Sequence, residues 1–447
     1  MIERLRTFLK RKFVRDTLAL QAGKLGTTFM MLVASVLVVR LLRPEAYGTW
    51  ALANSVLAVW QVLNLTGVAL STNTRLALAV GAGDEREILN LFAFYVKVML
   101  AWAIFSVIGL SLLGPALSER LYGGEQLVGQ LATGLALTIL PDALYNLVLI
   151  GLQSQRSMRA YSVLQNANQF VLLACTFAAL LLSPTPEGLL VSRLSYSVIT
   201  MLMALAYYQR VCGAFTVRYP TPLLILTQVR AVPVGPYWRF GVMNALDKNV
   251  ASLFTELPLQ LVGILAGKSA VAYLELGYKA MTIPALLTSA VFDNLQAVVP
   301  QAIGRGEYAR LWQDFRRLVV VMTAAAVIFY AAFALFAPLF VPLIYGVEFI
   351  PAMTVIQVLA VYGAVTLVGG IFGPLYRALG LMLPALLVKV VTLILVLLIG
   401  LMVHRQTWTA VNGAWVVNTL YVMSVGLTIG VVLPALRRRA QAEKQTA

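Results

Sequence analysis

The residues able to do chemistry in this 447-residue chain are charges set inside apolar stretches. Lys24, Lys248, Lys279 and Lys389 each fall well within a segment long enough to cross a bilayer. A lysine at the centre of such a helix costs about 2.5–3.5 kcal/mol on insertion scales, so it is expected to face a wet cavity or a partner and not lipid. Lys97 and Arg239 near one membrane face, and Arg40 and Arg193 near the other, lie close enough to helix ends for snorkelling to suffice. Ammonium groups collected in a cavity suit an anion, which they meet with charge-assisted hydrogen bonds.

Helical phase groups the other polar residues. At about 100° per residue, Thr17, Gln21, Lys24, Thr28 and Ser35 share one narrow face. Asn244, Lys248 and Thr255 share another, as do Asp142, Asn146 and Gln153. A fourth face carries Glu275, Lys279, Thr282, Ser289, Asp293 and Gln296, and Tyr47, Asn54 and Gln61 form a row of their own. Such stripes either bond helix to helix or line a cavity. On the second reading Gln21, Asn54, Gln61 and Asn244 join the four lysines as substrate-contacting residues, each offering an amide donor and acceptor.

The acidic residues Asp142, Asp247, Glu256, Glu275 and Asp293 either titrate and couple transport to an ion or neutralise the lysines. Glu275 precedes Lys279 by one turn and Asp247 adjoins Lys248, which favours neutralisation there. Asp142 has no cation nearby in sequence. It follows Pro141, whose missing amide loosens a helix, and so it is the leading candidate for a coupling switch, with Glu275 and Asp293 beside it.

These positions need helices across a membrane to hold them. The chain is 60% hydrophobic and 12% charged, against about 25% charged for soluble domains. It reads as an all-α polytopic membrane protein. Apolar segments of about 20 residues or more run near 17–42, 46–71, 91–116, 127–151, 160–183, 189–209, 237–265, 270–298, 318–343, 350–376, 380–403 and 410–434. Of 34 Lys and Arg, only Arg43, Arg120, Lys268 and Arg405 fall in loops of one side. The excess on the other side, with basic residues at both chain ends, places both termini in the cytoplasm. Pro141, Pro284, Pro338, Pro374 and Pro384 mark expected bends.

Weak self-similarity recurs at an offset of about 224 residues. Lys24 matches Lys248, Ala46-Tyr47 matches Ala272-Tyr273, and Leu121-Tyr122-Gly123 matches Ile344-Tyr345-Gly346. Two six-helix lobes of the same orientation follow, a parallel repeat whose substrate site is expected between them. The expected organisation is a basic lead over 1–16, a first lobe over 17–210, a linker over 211–236, a second lobe over 237–434 and a basic tail over 435–447. Lys24 and Lys248, at matched positions, are expected to face one another across the central cavity.

Several classes are excluded. The net charge of +16 is dispersed over loops between spans, as suits anionic lipid headgroups and topology and not nucleic acid. Cys175 and Cys212 make no disulfide framework, and the single His404, at a span end, is too isolated for metal or acid-base work. A Walker phosphate loop is missing. No enzyme activity, cofactor or metal is expected.

The run Val39 to Leu52, with Arg43-Pro44-Glu45-Ala46-Tyr47-Gly48 at its centre, resembles the opening signature of bacterial oligosaccharide or polysaccharide flippases of the O-antigen type. These belong to the superfamily that also holds multidrug exporters and peptidoglycan-precursor flippases. Leu265-Ala266-Gly267 through Ala272-Tyr273 to Lys279 is similar to that family's second-half counterpart. Arg43-Pro44 stands where Gly-Pro is commoner, and twelve spans differ from the fourteen of the peptidoglycan-precursor branch. The resemblance implies translocation of an undecaprenyl-pyrophosphate-linked oligosaccharide across the bacterial cytoplasmic (inner) membrane by alternating access. It implies membrane lipids and a polysaccharide polymerase or other assembly protein as partners, in lipopolysaccharide or exopolysaccharide synthesis. The alternative within the superfamily is a cation-coupled multidrug antiporter; a purely structural partner would not need four polar stripes.

Overall fold

A computed structural model describes residues 12–155, 157–213, 217–403 and 408–446, all helix and connection, with no strand among them. Two compact units emerge from the contacts, one of residues 1–42 and 63–245 and the other of residues 43–62 and 246–447.

The first unit holds α1 (Lys12–Leu41), α3 (Val68–Ala82), α4 (Glu85–Leu121), α5 (Leu127–Ala136), α6 (Ile139–Ser154), α7 (Met158–Leu182), α8 (Pro186–Val211), α9 (Pro222–Gln228) and the start of α10 (Gly235–Ala266). Its helix starts follow ordinary capping chemistry. The Asp84 carboxylate accepts from the Glu87 amide at the head of α4, and Thr185 and Thr221 do the same for α8 and α9, each followed by proline. Between α4 and α5 the backbones approach closely at Gly114 and Gly129, where any Cβ on Gly129 would strike the Gly114 carbonyl. Thr133 donates from there to the Leu110 carbonyl at 2.9 Å. Small residues with a hydroxyl bond are how helices adhere without a hydrophobic drive.

The segment after α8 is fastened to the same unit. Tyr219 packs edge-on against Phe92 at 5.2 Å and donates to the Gly151 carbonyl, while Tyr208 donates to the Pro220 carbonyl at 2.7 Å. Burial pushes the Tyr219 phenol up to about 12, so it remains a donor near neutral pH. Lys97, expected to snorkel, instead donates to the carbonyls of Arg230 and Val232. Its ammonium holds down the end of the linker.

The second unit holds α2 (Pro44–Gln61), the rest of α10, α11 (Lys268–Gly304), α12 (Tyr308–Phe340), α13 (Ala352–Gly370), α14 (Phe372–Ala378), α15 (Met382–Val403) and α16 (Ala410–Thr446). The expected first lobe includes α2, but its contacts are with α11 and the later part of α10: Gly48 has no Cβ and admits the Lys268 carbonyl of α11, and Ser55 donates to the Glu256 carbonyl of α10 at 3.5 Å. Tyr330 of α12 lies over Gly363 of α13 and donates to the Met281 carbonyl of α11. Asn418 of α16 accepts from the Tyr362 amide and donates to the Val358 carbonyl, bridging α16 to α13.

Among the described residues nine helical stretches are long and apolar enough to cross a membrane. They match the expected spans three to seven and nine to twelve. The first, second and eighth lie in α1, α2 and α11. The second is interrupted: α2 stops at Gln61, and Gly67, in the left-handed region at φ 54°, starts α3. Only glycine fits there without strain, and its Cβ position is filled by the Gly241 carbonyl. The fourth is interrupted too, between Ala136 and Ile139. Pro141 offers no amide to the Leu137 carbonyl, so the chain tightens into shorter bonds just before it, with the Thr138 amide on the Leu135 carbonyl.

Candidate functional site

Asp142 sits in the first turn of α6, just after that break. By helical rise it is roughly 20 Å from either end of the α5–α6 span. Arg193 of α8 donates to its Oδ2 at 2.6 Å, and the same guanidinium lies 4.9 Å from the centroid of the Tyr196 ring. The carboxylate with no cation nearby in sequence has one 51 residues further along the chain. Arg193, read as a snorkelling residue near a helix end, turns inward instead, because the half-buried carboxylate of Asp142 on α6, packed beside α8, offers more than the interface does.

Around this pair is a cavity of about 340 Å³. Asp142, Tyr145, Asn146 and Leu149 come to it from α6, Gln165, Asn168 and Gln169 from α7, Arg193 and Tyr196 from α8, and Thr27 from α1. All but Leu149 carry a polar group. Asn168 is 8% exposed and its amide donates to the Tyr196 hydroxyl at 2.9 Å. Its Oδ1, like Oε1 of Gln169, is buried in the cavity wall with no donor among the described side chains. Asp142 and Asn146 come from a stripe that sequence phase identifies; the third member, Gln153, is exposed away from the cavity. Gln165, Asn168 and Gln169 are absent from the residues that the sequence pattern selects, and Arg193 enters there only as a snorkelling residue. The signal was present in the polar spacing of 165, 168 and 169 within an apolar span, one face at about 100° per residue.

In the second unit the charges are compensated. Lys279 donates to the Tyr47 hydroxyl at 2.9 Å, lies 3.5 Å from Glu275, and stands over the Tyr47 ring. The expected one-turn pair is therefore formed, with an added partner from α2. Asp247 does not pair with Lys248: adjacent residues on a helix point about 100° apart. It accepts instead from Lys389 of α15 at 2.5 Å and from the Tyr376 hydroxyl of α14 at 2.7 Å. Lys389, expected to face a cavity, has a side chain only 16% exposed and committed to that carboxylate. Lys248 is exposed on its unit. Beside these pairs Tyr278, Tyr362, Tyr421 and Phe254 form a continuous run of ring contacts.

The remaining expected residues divide. Asn54 and Gln61 are exposed, and the Asn54 amide donates to the Trp50 carbonyl one turn back. Tyr47, first of that row, is wholly buried against Phe349. The side chains of Gln21, Lys24, Asn244 and Asp293 lie outside the described set, as do His404 and Arg405. Among the described residues no group of His, Cys, Asp or Glu could hold a metal ion.

Comparison with known proteins places this geometry. Solved structures with the same fold include an inward-facing multidrug resistance MATE family transporter of the MOP superfamily, with a TM-score of 0.74 at 16% identity over 94% of this chain and 96% of that one. The eukaryotic MATE transporter AtDTX14 matches with a TM-score of 0.68 at 15% identity, over 96% and 99%. A MOP superfamily transporter from Pyrococcus furiosus, described as having a binding pocket of reversed polarity, matches at 0.65 and 14%, over 96% of each chain. The chain thus has the all-α, twelve-helix, two-lobe membrane fold of that superfamily. No curated protein matches its sequence. The family model described as "Polysaccharide biosynthesis protein" matches residues 37–354, most of the chain, and the chain belongs to that family.

Proposed function

We propose that the protein is a flippase that carries a lipid-linked oligosaccharide, built on undecaprenyl pyrophosphate, from the cytoplasmic to the outer leaflet of the bacterial inner membrane by alternating access. The observation that carries this reading is the polar cavity at mid-span in a member of a polysaccharide biosynthesis family. Four side-chain amides, two phenols and a neutralised ion pair offer hydroxyl-rich rings the hydrogen bonds that they lose on leaving water. Basic termini on the cytoplasmic side, partnership with a polysaccharide polymerase or assembly protein, and a lipopolysaccharide O-antigen or exopolysaccharide product belong to the same reading. Coupling is assigned to Asp142, Glu275 and Asp293. For the first two, a proton or metal cation would compete with Arg193 and Lys279 for the carboxylate.

Export of small cationic drugs is the second reading, and the multidrug transporters of the same fold favour it. Against it, Asp142, Asp247 and Glu275 are each bonded to a guanidinium or ammonium of the protein itself. A cationic substrate would have to displace those partners.

The deciding experiment removes the protein from cells and follows the lipid carrier. Lipid-linked saccharide should accumulate in the inner leaflet, and surface polysaccharide should fall severalfold. Normal surface polysaccharide together with drug hypersensitivity would transfer the assignment to the second reading.

A further inference from the structure

We propose that the cavity of the first unit is a recognition site for one uncharged sugar ring, and that the charged head group of the substrate is bound elsewhere. The inference rests on the saccharide-export reading and names the part of the substrate that this site takes.

Size comes first. A pocket of about 340 Å³ lies at the lower end of ligand sites, about 300–1,000 Å³, which suits a small ligand such as a single ring better than a whole oligosaccharide. An apolar drug would want an apolar wall, and here Leu149 is the one purely apolar contributor.

Charge then separates the classes. Asp142 and Arg193 cancel at 2.6 Å. A phosphate or uronate entering the cavity would meet the carboxylate, and an ammonium would meet the guanidinium. A neutral ligand meets neither penalty. The guanidinium has five N–H donors and the carboxylate two acceptor oxygens, so the pair keeps capacity beyond its own bond. A sugar hydroxyl both donates and accepts, which is what an alternation of acid, guanidinium and amide groups requires of its ligand.

The third observation is independent of the other two. Oδ1 of Asn168 and Oε1 of Gln169 are buried acceptors with no donor among the described side chains. Leaving such groups unpaired is costly in a membrane interior, where water is scarce. A hydroxyl or acetamido N–H on a ring held against α7 supplies the missing donor, at Gln169 after a small rotation of its amide. Asn168 is already fixed through its Nδ2 bond to Tyr196, whose ring bears Arg193. Ligand contact at one amide is thereby linked to the ion pair.

The test uses the full-length protein in nanodiscs and saturation-transfer NMR with free glucose, galactose, N-acetylglucosamine and glucuronate, together with the glycan released by mild acid from the cells' own lipid carriers. Saturation of at least one neutral sugar or of the released glycan is expected, with glucuronate the weakest of the sugars. Asn168→Leu and Gln169→Leu should each weaken binding at least tenfold. Asn146→Ala, at an exposed cavity position that folding tolerates, should weaken it about threefold or more. Absence of transfer to every probe, preference for glucuronate, or unchanged binding in all three variants would overturn the proposal. Failure of the two readings is separable. Cells that accumulate lipid-linked saccharide without this protein, while the protein binds no sugar, keep the export function and lose the sugar site. Sugar binding without any accumulation does the reverse.

Discussion

Asp247 and Lys389, 142 residues apart in sequence, are joined at 2.5 Å inside the second unit, with the Tyr376 hydroxyl on the other carboxylate oxygen. Lys389 Nζ also lies 5.5 Å from the Tyr376 ring centroid. A lysine deep in an apolar helix thus has a structural explanation that needs no substrate.

Removing one partner leaves a buried charge uncompensated, and breaking such pairs costs about 3–5 kcal/mol, whereas replacing both by neutral groups of similar volume is often tolerated. Lys389→Met alone and Asp247→Asn alone are expected to lower the thermal midpoint in detergent sharply. The double variant should recover most of the loss. Midpoints of the four proteins close the cycle; a double variant as unstable as the sum of the singles would mean that the two residues do not act together.

The helix count and the family signature were legible in the sequence because spans must be apolar, and a helical phase of about 100° per residue put Asp142 and Asn146 on one face. Partnerships across helices were not. The choice of Lys248 for Asp247 followed from proximity in sequence, yet neighbours on a helix diverge while residues on α10, α14 and α15 converge. Arg193 was misplaced for a related reason. Its distance from a helix end measures what it would cost to stay buried, not what lies opposite, and opposite it is Asp142. The transfer of α2 to the second unit was equally invisible, since it depends on the fit of Gly48 against the Lys268 backbone.

The Asp142–Arg193 pair is about 30% exposed on each side, 31% for Arg193 and 29% for Asp142, because it borders the cavity. Screening reduces its worth below that of the Asp247 pair. Arg193→Gln is expected to cost about 1–2 kcal/mol of stability while reducing export by at least tenfold. Asp142→Asn combined with Arg193→Gln should restore the melting temperature without restoring export. Transport in vesicles against thermal midpoint, measured on the same preparations, separates the two effects.

Lys97 fixes the linker through two backbone carbonyls, those of Arg230 and Val232. Lys97→Met removes both bonds and should open the segment around 217–235 locally, since such connections depend on few contacts. Trypsin cleavage after Arg230 is expected to quicken severalfold with the global midpoint little changed. Equal cleavage rates in wild type and variant would show that Tyr208 and Tyr219 hold the linker unaided.

Lys248 and Lys279 allow charge required for transport to be told from charge required for folding. Lys248 is exposed on its unit, whereas Lys279 bonds Tyr47 and Glu275 and ties α2 to α11. Lys279→Ala removes the donor to a fully buried tyrosine and leaves Glu275 without its cation. Its melting temperature should therefore fall by several degrees, with export falling as a consequence. Lys248→Ala breaks no side-chain bond among the described residues and should melt as wild type does. If an exposed ammonium at mid-span serves the anionic head group, Lys248→Ala still loses most of its export, and Lys248→Arg keeps part of it because a guanidinium also donates to phosphate. The measurement is export per folded molecule, normalised by fluorescence-detected gel filtration. Wild-type export by Lys248→Ala would remove this residue from the head-group site and leave Lys24, its counterpart in the repeat, to be tested in the same way.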